Sequence, residues 1–177
     1  EGRGLGYLQC TLGKTPAHAE KAEEPMFIGG DKAFYDANAD LFKVIGIPNF
    51  VGSVDASCAV KLISNMIGMT NLAVLAEGIK VGDKAGMDRK LLLELLSDTG
   101  ARSFQMDVRG PWIAADDYNP RFGLDLALKD VRLGLEMARA WALDLKAMEA
   151  ALVYYQNASA AGFGKEDCNA VAKVVGK

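Results

Sequence analysis

Ala59-Val-Lys-Leu-Ile-Ser-Asn-Met-Ile-Gly68 sits in an apolar run where Lys61 is the only charge between Asp55 and Glu77. Its polar positions Ser57, Lys61, Ser64, Asn65 and Gly68 recur at steps of three and four residues, the spacing that collects them on one face of a helix. The helical period begins near Val54 and persists to the end with no convincing strand, so residues 54–177 read as an all-helical domain. The first helix is expected over residues 55–84, ending at Gly86. Asp88 should cap the next, through Leu96, because its carboxylate can accept the free N–H groups of a first turn. A third segment over 103–109 is expected to stop at Gly110-Pro111. A long helix over 122–142 would bury the stripe Leu124, Leu128, Val131, Leu135 and Ala138. Another over 146–161 would end at Gly162, with a short helix after Asp167.

Upstream the signals are short and β-like. Residues 6–12 and 25–28, the latter closed by Gly29-Gly30, read as strands, residues 32–46 as a helix and 49–51 as one more short strand. This is the pattern of the edge of an α/β sheet, with a domain boundary near Ser53. The expected fold class is therefore mainly α, with an α/β remnant over 1–53 and an all-α domain over 54–177.

Half of the 177 residues are hydrophobic, enough to bury a core. A net charge of −3 without a Lys/Arg cluster gives no footprint for nucleic acid or an anionic membrane, and neither is expected as a partner. Cys10, Cys58 and Cys168 are widely spaced and unsupported by histidines, so neither a disulfide framework nor a metal site is indicated, and reduced thiols in the cytoplasm are expected. Residues 62–76 are uncharged but carry Ser64, Asn65, Thr70 and Asn71 and are short for a membrane span, which favours a buried helix. Residues 1–6 have no apolar stretch of the kind a secretion signal needs.

Three places have residues suited to chemistry. A lysine partly withdrawn from water, as Lys61 would be on its helix face, loses some preference for the charged form and becomes able to exchange a proton. Asn65, one turn on, would hold the oxygen that receives it. The other reading has Lys61 reaching solvent and Asn65 bonding a neighbouring helix, and spacing alone leaves both open. In Asn119-Pro-Arg-Phe-Gly-Leu-Asp-Leu-Ala-Leu-Lys-Asp130, Phe122 and Lys129 are seven apart and would share a helix face, and Asp130 would fix Lys129 or receive a partner's hydrogen bond. A solvated Lys-Asp pair is the competing reading there. Gly13-Lys14-Thr15, after the first strand, offers backbone N–H groups and a cation to an anion, but lacks the spaced glycine of a P-loop. His18 reads as a surface residue, and Trp112 and Trp141 as packing.

Together these stretches resemble the β-hydroxyacid dehydrogenase family of the 3-hydroxyisobutyrate, tartronate semialdehyde and glyoxylate type, over nearly the whole chain. Gly6-Tyr-Leu-Gln-Cys-Thr-Leu-Gly-Lys-Thr15 stands where that family has a strand and its Ser-Gly-Gly substrate loop, followed by Met26-Phe-Ile-Gly-Gly-Asp31 as the next strand and turn. Lys61-Leu-Ile-Ser-Asn65 is similar to its Lys-x-x-Asn-Asn helix, Phe122 to Asp130 to its Phe-x-x-x-Leu-x-x-Lys-Asp segment, and Gly162-Phe-Gly-Lys-Glu-Asp-Cys-Asn-Ala170 to its tail. The resemblance implies a Rossmann domain followed by an all-α substrate and dimerisation domain, and a homodimer or homotetramer. It also implies NAD or NADP as cofactor and a small hydroxyacid or semialdehyde as substrate. Lys61 would be the general acid/base, Gly13, Lys14, Thr15, Asn65, Phe122 and Asp130 would bind substrate, and Lys129 would contact the cofactor.

Three departures qualify it. Gly13-Lys14-Thr15 puts a cation where many members have Ser-Gly-Gly, which suggests a substrate with an extra anionic group such as a sulfonate or second carboxylate. The branch that reduces sulfolactaldehyde has a similar loop. Ser64 stands where 6-phosphogluconate dehydrogenases have histidine, so that activity is not expected. No Gly-x-Gly-x-x-Gly follows a strand, so the nucleotide-binding half reads as truncated, and the chain alone is expected to bind dinucleotide poorly and to turn nothing over. From other classes, a non-enzymatic helical dimerisation module and a small-anion binder using Lys14 and Thr15 remain open.

Overall fold

The computed structural model describes residues 5–176, so most of the segment read above for a secretion signal lies outside the described residues. The chain forms two compact units, one reaching to Ser64 and the other starting at Asn65, and the division falls inside a single long helix.

The first unit is a three-stranded sheet with its helices. Strand β1 (Leu8–Leu12) is followed by a four-residue helix α1 (Pro16–Ala19), β2 (Pro25–Gly30), α2 (Lys32–Ala37), α3 (Ala39–Ile45), β3 (Ile47–Gly52) and the start of α4 (Val54–Lys84). β1 runs antiparallel to β2, pairing Leu8 with Gly30 and Leu12 with Met26. β3 runs parallel to β2, with an irregularity between Ile28 and Gly29. A parallel pair needs a crossover, which α2 and α3 supply. The single helix expected over 32–46 breaks at Asn38, whose side-chain amide donates to the Phe34 carbonyl at 2.8 Å in place of continued helical bonding. Tyr35 stacks on Phe42 at 5.7 Å and tilts against Phe50 at 5.1 Å, which pins the crossover to β3. Gly29 is needed where β2 passes the start of α4, since a Cβ there would lie 2.0 Å from the Ser53 carbonyl oxygen.

The second unit contains the rest of α4, then α5 (Arg89–Ser97), α6 (Phe104–Ala114), α7 (Leu124–Ala140), α8 (Lys146–Ala158), a π-turn over Ser159–Phe163 and a 3-10 helix over Cys168–Lys173. Its core joins Met66, Met69, Leu72, Ala76 and Ile79 of α4 to Leu124, Ala127, Val131 and Leu135 of α7, with Tyr155, Ala158 and Val171 closing it. Each fully buried side chain of this size contributes about 1.5–3 kcal/mol. Tyr155, wholly buried, keeps its hydroxyl satisfied by donating to the Met69 carbonyl at 3.1 Å. By length and composition α4 is the one helix among the described residues apolar enough to cross a membrane. Asp88 caps α5 as expected, accepting from the Lys90 and Leu91 amides at 3.0 and 2.9 Å.

Several expectations need correction. α6 does not stop at Gly110-Pro111 but continues to Ala114, because Met106, Arg109, Gly110 and Ile113 are buried and Gly110 is packed against Leu93. That packing outweighs the missing proline donor. α7 starts at Leu124 with Gly123 as its cap, so Phe122 lies outside the helix and the shared helix face inferred for Phe122 and Lys129 does not exist. The helix over 146–161 ends at Ala158 and relaxes into the π-turn, where Gly162 takes a φ of +90°. The mainly-α class is itself too simple. The sheet mixes antiparallel and parallel pairing, and beyond residue 54 an antiparallel bridge joins Gly123 to Asp167, so the second part is not purely helical. That bridge is invisible to periodicity because it pairs single residues of two loops.

Candidate active site

In the first unit the sheet fixes the start of α4 before it fixes Lys61. Ser57, fully buried, donates to the Phe27 carbonyl at 2.7 Å, and the Thr11 hydroxyl donates to the Ser57 carbonyl at 3.0 Å. One turn later the half-buried Lys61 reaches the end of β1, where its ammonium donates to the Leu12 carbonyl at 2.7 Å. Leu12 immediately precedes Gly13-Lys14-Thr15, so the unit brings Lys61 and this loop together. Gly13 is tight against its surroundings: its amide donates to the Pro25 carbonyl at 2.8 Å, and a Cβ would meet the Pro25 ring at 2.6 Å. Lys14 takes a left-handed φ of +56°, which costs a residue with a side chain about 1–2 kcal/mol. Its exposed ammonium rests on the Glu23 carbonyl at 3.0 Å. Thr15 shares a 2.8 Å hydrogen bond with His18 Nδ1, so the histidine read as a surface residue has a local partner.

In the second unit Asp130 is the organising group. Only 8 % exposed, it accepts from the Asn65 side-chain amide at 2.6 Å through Oδ2 and from the Lys129 ammonium at 2.9 Å through Oδ1. The solvated-pair reading therefore fails for Asp130, while the Lys129 side chain stays 51 % exposed. Phe122 packs at the edge of the core, ahead of α7.

The sequence reading missed a buried polar cluster behind Phe122. Asp167, with no exposed surface, accepts from Arg109 Nε at 3.0 Å and from the Phe122 amide at 2.9 Å, and burial holds the neighbouring Cys168 thiol well above its usual pKa. The sequence marks Arg109 only as the last residue of the segment expected over 103–109. The one available signal was Asp167 ahead of a short helix, where it does cap, accepting from the Asn169 amide at 3.1 Å. Among the described residues no group of His, Cys, Asp and Glu is arranged to hold a metal ion, and the three cysteines are free.

Comparison with known proteins supplies the frame for these residues. A family model described as NAD-binding of NADP-dependent 3-hydroxyisobutyrate dehydrogenase matches residues 56–175. The 2-(hydroxymethyl)glutarate dehydrogenase of Eubacterium barkeri is 28 % identical over 97 % of this chain and 58 % of its own length. Glyoxylate/succinic semialdehyde reductase 1 of Arabidopsis thaliana is 30 % identical over 98 % of this chain and 61 % of its own. The chain thus spans about three-fifths of these two relatives. The crystal structure of a 3-hydroxyisobutyrate dehydrogenase from Salmonella typhimurium shares the fold, with a TM-score of 0.89 at 24 % identity, covering 96 % of this chain and 60 % of that one. The family match also corrects the fold class: most of the part expected to be an all-α substrate and dimerisation domain is matched by a family model described as NAD-binding. With that match covering well over half of its residues, the chain belongs to the 3-hydroxyisobutyrate dehydrogenase family of hydroxyacid dehydrogenases.

Proposed function

We propose that this chain, within its complete protein, interconverts a small hydroxyacid and its semialdehyde with NAD or NADP, and that Lys61 is the general acid/base. The observation that carries this is the 2.7 Å bond from the Lys61 ammonium to the Leu12 carbonyl. It holds a proton donor at the mouth of the Gly13-Lys14-Thr15 loop, in a geometry set by the sheet rather than by solvent. In reduction Lys61 gives a proton to the substrate's carbonyl oxygen; in oxidation it takes the proton of the hydroxyl. Asn65, held by Asp130, orients the oxygen. The donor set fits part of a dinucleotide: Lys129 is an exposed cation anchored on a buried carboxylate, suited to a polar end of the cofactor. A bound nicotinamide supplies the hydride chemistry. A cradle of the Gly-x-Gly-x-x-Gly kind for the pyrophosphate is not in this sequence, so the chain alone is expected to be inactive.

Lys14 extends the proposal to substrates with an extra anionic group. A strained backbone that carries an ammonium to the loop is consistent with such a role, since a released Glu23 carbonyl bond would free that cation. The test is nicotinamide absorbance in the complete protein against short hydroxyacids and semialdehydes, with and without a second carboxylate or a sulfonate. Lys61→Ala is expected to cost about 10²- to 10⁴-fold in turnover with the fold retained. No turnover across the panel with either cofactor, or an unaffected Lys61→Ala variant, would reject the proposal in favour of a binding or scaffold role. Unchanged KM values for the anionic substrates in Lys14→Ala would remove the anion from it.

A further inference from the structure

The loop ahead of α7 is held by the segment over residues 164–169. The Asp167 amide donates to the Tyr118 carbonyl at 3.1 Å and the Cys168 amide to the Phe122 carbonyl at 2.8 Å. The Asn169 side chain donates to the Asp117 carbonyl at 2.9 Å. The first free amides of α7 are also taken by that segment, Leu124 donating to the Glu166 carbonyl at 2.9 Å and Asp125 to that of Gly164 at 3.1 Å. One charged group stands at the centre of this seam. The Asp167 carboxylate, fully buried, receives the Phe122 amide on Oδ2 and Arg109 Nε on Oδ1, and the Arg109 side chain is 5 % exposed with its Nη1 on Gln105 at 2.8 Å.

We propose that the Asp167–Arg109 pair is a positioning device: by gripping the Phe122 amide it fixes that residue and the start of α7, and so sets substrate affinity through Phe122, the substrate contact that the family resemblance implies. Burial explains why a charged pair is used. Water cannot replace either partner, so the carboxylate has one stable arrangement, and the Phe122 backbone inherits it. A neutral acceptor on the surface would tolerate several. Neither residue reaches the reacting atoms; both act through Phe122.

The inference rests on the dehydrogenase reading above, and its test separates the two. In the complete protein, Asp167→Asn keeps the shape and one acceptor but removes the charge that holds Arg109. Arg109→Lys keeps the charge and loses the fork to Gln105. Substrate KM is expected to rise about tenfold or more in Asp167→Asn with kcat within about threefold of wild type, and Arg109→Lys to fall between. Hydrogen exchange at the Phe122 amide should quicken in both, while the Val131 amide within α7 keeps its rate. If Asp167→Asn does not fold, the same split in Arg109→Lys carries the test, and failure of both to fold assigns the pair to stability alone. A lowered melting temperature with unchanged KM overturns the proposal and leaves the enzyme reading intact. A wild-type protein without turnover overturns the enzyme reading and, with it, the kinetic role of the pair.

Discussion

Gly134 of α7 lies directly against the Met66 side chain of α4, and replacing it tests that packing. A Cβ at this position would meet Met66 Sδ at 2.3 Å, its Cγ at 2.6 Å and its Cε at 3.0 Å. On an exposed helix Gly→Ala stabilises by about 1 kcal/mol. Here the same change forces Met66 to move, and Met66 is only 3 % exposed, so it cannot swing into solvent. Overpacking of this kind costs about 1–3 kcal/mol, and the flexible thioether favours the middle of that range, for a net loss of about 1 kcal/mol. In a Met66→Ala background the obstacle is gone. Gly134→Ala should then fill part of the cavity and recover its helix propensity, stabilising by about 1 kcal/mol, so the coupling between the positions is about 2 kcal/mol. Urea unfolding followed by tryptophan fluorescence reads the relevant unit, because Trp112 and Trp141 both lie in it. The quantity to compare is the midpoint at constant slope. A higher midpoint for Gly134→Ala in the wild-type background, or equal shifts in both backgrounds, would refute the close approach.

Two further outcomes follow from the helix ends of the same unit. Asp88→Ala removes the acceptor of two first-turn amides of α5 and should cost about 1 kcal/mol in thermal unfolding, with Asp88→Asn losing much less. Asp83 receives Arg89 on both oxygens at 2.8 Å, and these hydrogen bonds hold its carboxyl below the usual 3.8. A depressed acid stabilises the fold above its unfolded pKa and loses that contribution as pH falls through the lower folded value. Urea midpoints measured downward from about pH 6 should therefore fall less steeply below about pH 4 in Asp83→Asn than in wild type.

What the sequence disclosed, it disclosed through periodicity and caps. The apolar run around Lys61 sets α4, and Asp88 announces α5 because an N-cap is a local device. Of the stripe Leu124, Leu128, Val131, Leu135 and Ala138, Leu128 is only partly buried, while the others are buried as their spacing demands. Periodicity failed where tertiary contacts override local preference, at Pro111 inside α6 and at the Gly123–Asp167 bridge, and where a local side-chain bond breaks the helix at Asn38. At the candidate site, residue type and spacing singled out Lys61, Asn65 and Asp130 and foresaw the Lys129–Asp130 pair, but not the partners of Lys61 and Asn65. That Lys61 bonds a backbone carbonyl 49 positions away, or that Asp130 grips Asn65 across 65, depends on long-range pairing that no window of sequence contains.

The Asp130 grip bears on how one asparagine could serve both directions of a hydroxyl–carbonyl interconversion. An ionised carboxylate only accepts, so Asn65 must turn its NH₂ toward Asp130, and the 2.6 Å bond fixes the amide in that sense. This leaves the Asn65 carbonyl oxygen and the second N–H for a ligand. A substrate hydroxyl needs an acceptor for its proton, whereas a substrate carbonyl needs a donor. An amide locked by one of its hydrogens offers both without rotating. Were the side chain free to flip, each orientation would suit one redox state and the exchange would require a rearrangement between hydride transfer and release. Lys129 acts on the same carboxylate from its other oxygen, so a ligand that draws the lysine away leaves Asp130 more negative and tightens its hold on Asn65. On the proposed reading, cofactor contact at Lys129 and substrate orientation at Asn65 are thus two ends of one hydrogen-bonded chain, with Asp130 as its middle.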